Sequence, residues 1–225
     1  MYKSNYDKSP ATKIDGELWK GWDDICRELR RSVPAGRCTM VIECYQGVYH
    51  DELRKGFEAL HADCWVDTAD LFKPVAEIER MTYPYVTDDR LFGYRSNFSY
   101  ADFLDPEKTE EVRRKVKAAD GFTVVYGHGA ALVAPDADRT VYVDMARWEI
   151  QLRSRRHEIN GLGVENKAEG ASYQYKRGYF VDWIVCDRLK KQLLGKADYW
   201  MDTHTAGEPK MIRGSLLREG LDKTA

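Results

Sequence analysis

Apolar positions first become periodic at Leu18, Trp22, Ile25 and Leu29, spaced 4, 3 and 4 apart, which predicts an amphipathic helix from residue 17 that ends at Pro34-Ala35-Gly36. Thr39-Met40-Val41-Ile42 is a short β-branched run and reads as a buried strand, with a turn at Tyr45-Gln46-Gly47. Leu53, Phe57 and Leu60 mark a second helix, whose first turn carries Asp51 and Glu52, where acids suit the helix dipole. A second strand over 62–66 closes on Asp67-Thr68-Ala69-Asp70. Residues 73–105 show no clear period and read as the least regular part. Asp105-Pro106 then opens a helix with a carboxylate cap and a first-turn proline, and Glu110–Arg114 and Glu111–Lys115 are acid-before-base pairs along it. Further strands are expected over 122–126, 140–143 and 197–201. Helices are expected around Met145, Trp148 and Leu152, over 179–194, and around Leu216, Leu217 and Leu221, with a glycine-rich mobile loop over 160–172.

Short apolar strands alternate with helices and show no period-2 pattern of their own, which predicts a parallel sheet covered on both faces. The expected fold is α/β and three-layered, with five mainly parallel strands. A polar N-terminal arm spans 1–16 and a single α/β domain spans 17–225. With 225 residues, 43% hydrophobic and 32% charged, the chain can bury about 70% of its unfolded surface. Its 35 basic and 37 acidic residues argue against a general nucleic-acid binder. No apolar run reaches the ~20 residues that span a bilayer, residues 1–13 lack a signal-peptide core, and five scattered cysteines suit reduced thiols. These features predict a cytoplasmic protein with neither membrane nor nucleic acid as partner.

Ligands of open α/β sheets bind beyond the carboxyl ends of the strands. Acids stand there at Asp67, Asp70 and Asp144, where they could take a proton from a hydroxyl or hold a divalent cation, or simply cap the next helix. Arg153, Arg155 and Arg156 follow the fourth strand. Arg156 lies four residues after Leu152, in line with an apolar stripe, so that these guanidinium groups could meet phosphate oxygens or form a solvated face. Trp22, Trp148 and Trp183 fall on helix stripes and read as core.

Several segments resemble P-loop kinases of the uridine kinase and phosphoribulokinase kind, in order and over most of 37–221. Asp70-Leu71-Phe72 is similar to their D-x-F stretch, whose aspartate is the base toward the substrate hydroxyl. Val141-Tyr142-Val143-Asp144 with Arg155-Arg156 is similar to their strand and lid. The resemblance implies a P-loop NTPase-like fold. The phosphate loop itself departs from G-x-x-x-x-G-K-[ST]: Glu43-Cys44-Tyr45-Gln46-Gly47-Val48-Tyr49-His50-Asp51 retains one glycine and neither the lysine nor the hydroxyl. Glu43 and Asp51 beside a phosphate would each repel it by about 1–4 kcal/mol at ~4 Å.

Met1-Tyr2-Lys3-Ser4-Asn5-Tyr6-Asp7-Lys8, Val41 through Val48, Leu162-Gly163-Val164-Glu165-Asn166 and Phe180-Val181-Asp182-Trp183 resemble the N-terminal region of long bacterial class I mannose-6-phosphate isomerases. There a kinase-like domain precedes a metal-dependent cupin. That resemblance implies a link to sugar-phosphate metabolism and a cupin-type isomerase domain or subunit as partner. Its metal ligands have no counterpart among the dispersed His50, His61, His128, His157 and His204, and no isomerase catalytic residue carries over. Asp202-Thr203-His204-Thr205-Ala206-Gly207-Glu208-Pro209 resembles a proline racemase motif, without the paired cysteines that chemistry needs.

The expectation is a kinase-like domain without kinase activity that can bind a phosphorylated small molecule. Candidate ligand residues are Gly47, Arg153, Arg155 and Arg156, candidate bases Asp67 and Asp70, and the candidate metal residue Asp144. The alternatives are an active phosphotransferase, which alone would call for magnesium with a nucleotide, and a non-catalytic scaffold.

Overall fold

The structure is a computed structural model that describes residues 10–224. Residues 10–16 carry no regular secondary structure, and the first part of the expected polar arm lies outside the described residues. In chain order the elements open with β1 (Leu18–Lys20), α1 (Gly21–Ser32), β2 (Cys38–Cys44), α2 (His50–Gly56) and β3 (Cys64–Asp67). Next come α3 (Val75–Val86), α4 (Tyr100–Phe103), α5 (Pro106–Ala118), β4 (Phe122–Gly127), α6 (Ala130–Val133) and β5 (Arg139–Asp144). The chain continues through α7 (Arg147–Arg155), α8 (Ala171–Arg177), a π-helical turn (Gly178–Asp182) and α9 (Trp183–Leu193), then β6 (Tyr199–Asp202), β7 (Lys210–Arg213) and α10 (Gly214–Asp222).

The described strands form one sheet in the order β1-β7-β6-β5-β2-β4-β3. The five expected strands, β2 to β6, pair in parallel, and β7 and β1 add an antiparallel edge. Every residue of β2 and of β4 is buried, as central strands covered on both faces require. This is a three-layer α/β architecture built on a mostly parallel sheet. Ile25, Leu29, Phe57 and Leu60 are fully buried, and each such side chain contributes about 1.5–3 kcal/mol of burial.

The first helix starts later than its stripe suggests. Gly21 takes φ +77°, so Leu18 belongs to β1, where it is exposed, and only Trp22, Ile25 and Leu29 line the helix. Residues 75–86, read as irregular, form α3, with Pro84 in its last turn, where it removes one helical N–H donor near the helix end. The cap at α5 is as expected, with the Asp105 carboxylate accepting from the Glu107 and Lys108 amides. Glu111 pairs with Lys115 at 2.6 Å, but Glu110 pairs with Arg113 instead of Arg114. On α7 the inward face is Ile150, Arg153 and Ser154, which leaves Trp148 59% exposed instead of in the core. Among the described residues no helix is long and apolar enough to cross a membrane.

Candidate functional site

The turn after β2 lies at the carboxyl end of a central parallel strand. Gly47 sits at φ +98°, and a Cβ there would come within 2.7 Å of Ile150 Cγ1, so a glycine lets α7 approach the loop backbone. That approach delivers Arg153, whose side chain is fully buried. Its Nη1 donates to the Gly47 carbonyl at 2.9 Å, and its Nη2 to the carbonyls of Thr203 and His204 at 2.9 and 3.1 Å. Nε donates to the Glu149 carboxylate at 3.1 Å, and the guanidinium lies 3.7 Å from the centre of the Tyr49 ring. Arg153 is therefore committed to protein partners and holds the turn, α7 and the end of β6 together. The expectation that it reaches for a phosphate is corrected by this geometry.

Arg156 is equally engaged. Its Nε sits 2.9 Å from both oxygens of Glu158, and its Nη2 donates to Glu149 at 2.9 Å. Against the cost of burial, the hydrogen bonds from Arg156 and Arg153 hold the Glu149 carboxyl below its ordinary range. Glu158 also accepts from the Tyr49 hydroxyl. Glu43, expected beside a phosphate, instead turns into the interior. It is 1% exposed and accepts from the Gly129 and Ala131 amides at 2.7 and 2.8 Å, where α6 begins. Burial pushes its carboxyl up to about 8, and those two amides only partly offset that.

Beyond the ends of β2, β3 and β4 lies a cleft of 630 Å³, where the switch of strand order predicts a ligand site. It is lined by Gly47 and Asp67 of the expected set, and Asp51, Glu158 and Glu165 make it acidic, with Lys73 as a cation. Asp67 is exposed and accepts from the Ala69 amide at 2.9 Å, capping the turn after β3. Asp70, also exposed, does not line this cleft.

Two histidines that the sequence did not single out stand at its base. His128 Nδ1 lies 2.9 Å from the Cys44 carbonyl, which can only accept, so this nitrogen carries the proton. His128 Nε2 is then an acceptor, and His50 Nε2, 3.0 Å away, must donate to it. His50 Nδ1 in turn accepts from the Tyr126 hydroxyl at 2.8 Å. The result is a one-way chain of hydrogen bonds, Tyr126 to His50 to His128 to Cys44, with no ring lone pair left to act as a base. Burial lowers His50 to about 4, and burial with the neighbouring His50 lowers His128 to about 3.

Asp144 is also spoken for. It accepts from Lys190 Nζ at 2.6 Å, Trp200 Nε1 at 3.1 Å and the Met145 amide at 2.9 Å. Among the described residues no three His, Cys, Asp or Glu side chains cluster to hold a metal. Asp144 is thus an ion-paired strand end.

Arg155 faces elsewhere, into a groove of 810 Å³ on the far side of α7. The groove runs along α8 and the π turn, and the loop tip Arg90-Leu91-Phe92 overhangs it. Gln46 reaches its floor from the turn after β2, accepting from Trp183 Nε1 at 3.2 Å. The motif Phe180-Val181-Asp182-Trp183 was legible, but the wide turn that aims it was not. At Gly178 a Cβ would lie 2.7 Å from the Trp183 ring, and that close approach is the local trace of the bulge.

Fold and turn together define a three-layer α/β protein whose turn after β2 is held by a buried arginine. The chain belongs to the family described as a domain of unknown function (DUF8485), whose profile matches residues 21–225. No curated protein matches it in sequence. Among solved structures, shikimate kinase from Bacteroides thetaiotaomicron aligns at a TM-score of 0.41 with 13% identity, over 84% of this chain and 97% of that one.

Proposed function

We propose that this chain is a kinase-fold domain that does not transfer phosphoryl groups and serves sugar-phosphate metabolism as a ligand-binding or regulatory partner of an isomerase. One observation carries the first half: the Gly47 carbonyl points at the buried Arg153 guanidinium, so the turn is tied down by its own chain. A triphosphate there would find no lysine, serine or threonine within residues 43–51, and it would face Asp51, Asp67 and Glu158. Each like-charge approach near ~4 Å disfavours it by about 1–4 kcal/mol. The second half is supported by the motifs shared with the N-terminal region of mannose-6-phosphate isomerases, which make a cupin-type isomerase the partner to seek.

Calorimetric titration with ATP and magnesium tests this reading. No magnesium-dependent heat is expected up to millimolar nucleotide, and ATP hydrolysis should match background in both wild type and Asp67→Asn. Tight ATP binding that requires magnesium would overturn the proposal.

A further inference from the structure

Asp182 closes the π turn and lines the groove beneath residues 90–92, yet it is 1% exposed. One oxygen accepts from the Leu162 amide at 3.2 Å and lies 3.3 Å from Arg177 Nε. The other, Oδ1, is buried and has no hydrogen-bond partner among the described residues. A buried acceptor left open is costly unless something donates to it. The π turn is itself an uncommon element, found most often where a helix serves a site.

The walls around this acceptor are aromatic. Tyr175 and Tyr179 lie near-parallel with ring centres 6.3 Å apart, and Tyr175 meets Trp183 edge-on at 5.4 Å. Both tyrosines are nearly half exposed, at 44% and 48%, and Phe92 opposite them is 71% exposed. Gln151, Ser154 and Ser172 add amide and hydroxyl groups to the lining. The cations are placed at the rim. Arg155 lies 5.7 Å from the Trp148 ring and makes no ion pair among the described residues, and Arg90 stands on the overhanging tip. That tip is braced from below by Lys176, which donates to the Thr87 and Asp89 carbonyls, and by Asp89, which accepts from the Leu91 and Phe92 amides at 2.7 Å. The volume is in the range of small-molecule sites.

We infer that this groove, and not the cleft at the strand ends, binds a monophosphorylated sugar: a ring hydroxyl donates to Asp182 Oδ1, the apolar ring face packs on Tyr175 and Tyr179, and the phosphate meets Arg155 and Arg90. Each part of the ligand answers one feature. A hydroxyl supplies the donor that Asp182 lacks. The carbon-bound hydrogens of a sugar ring suit an aromatic face, and a dianion suits two guanidinium groups without a carboxylate partner. The inference deepens the proposed function and rests on it in assigning the ligand no phosphoryl transfer.

Calorimetry with glucose 6-phosphate as the probe, beside glucose, inorganic phosphate and AMP, tests it. Glucose 6-phosphate should bind the wild type more tightly than glucose or phosphate alone. Arg155→Ala should weaken that binding at least about tenfold, the scale of a charge-assisted contact. Tyr179→Ala should weaken it several-fold, and Asp182→Asn should do the same if it folds. Both Arg155 and Tyr179 are exposed, so their variants decide the matter even if Asp182→Asn does not fold. Glucose 6-phosphate failing to bind, AMP binding in its place, or binding unchanged by Arg155→Ala and Tyr179→Ala would overturn the inference. ATP with magnesium is titrated separately, so failure here is distinguishable from failure of the broader proposal.

Discussion

Truncating Arg153 to alanine would take from the carbonyls of Gly47, Thr203 and His204, and from Glu149, the donor group they share. Removing one partner of a buried ion pair typically destabilises by about 3–5 kcal/mol. Chemical denaturation of Arg153→Ala should show a loss of that order. Arg153→Lys should recover little, because an ammonium is a single point and cannot reach the separate acceptors that Nε, Nη1 and Nη2 of the planar fork each serve. The histidine chain makes a second prediction at this scale. His50 and His128 titrate near 4 and 3 in the folded protein, below the ordinary histidine value of about 6.5. Between those limits the unfolded chain binds more protons than the folded one, so stability rises with pH across this window and falls as pH drops from 6.5 toward 4. Replacing His128 with asparagine should flatten that slope, as read from denaturation midpoints at a series of pH values. What sequence reasoning missed about these residues is register and direction. Counting from Leu152 brings Arg156 into line with the stripe, whereas the helix is rotated so that Ile150 and Arg153 point inward. Nothing in a linear sequence brings His50 and His128, 78 positions apart, to hydrogen-bond distance.

At the scale of elements, the continuous apolar runs of β2 and β4 and the cap of α5 were legible because each is a local signal. β1 and β7 were not, since each is three or four residues long and half exposed, and their pairing joins Trp19 to Met211 across most of the chain. α3 was hidden by Pro84 and by the aromatic composition around it. The π turn shows the same limit, because its sequence reads as ordinary helix. Gly178→Ala tests whether the bulge depends on a missing side chain. With a new Cβ 2.7 Å from the Trp183 ring, it should destabilise by about 1–3 kcal/mol, the usual range for overpacking, and shift the tryptophan fluorescence.

For the whole molecule, the parallel core ends on β6, and β7 and β1 continue the sheet in the opposite sense. β1 lies just before the residues that the family profile matches, and it covers the outer edge of β7, where Met211 is buried. Deleting residues 1–20 should uncover that edge, lower the melting temperature and promote concentration-dependent association. Size-exclusion chromatography at several concentrations would register the change, and an unchanged elution volume with an unchanged melt would show β1 to be dispensable.

Arg153 also bears on whether a nucleotide site could be built at this turn. Placing a lysine and a serine in residues 45–51 would leave the guanidinium still fastened to the Gly47 carbonyl, while removing the guanidinium first would weaken the fold. Neither change helps without the other, so the arginine-held turn acts as a ratchet against stepwise conversion into a phosphate-gripping loop.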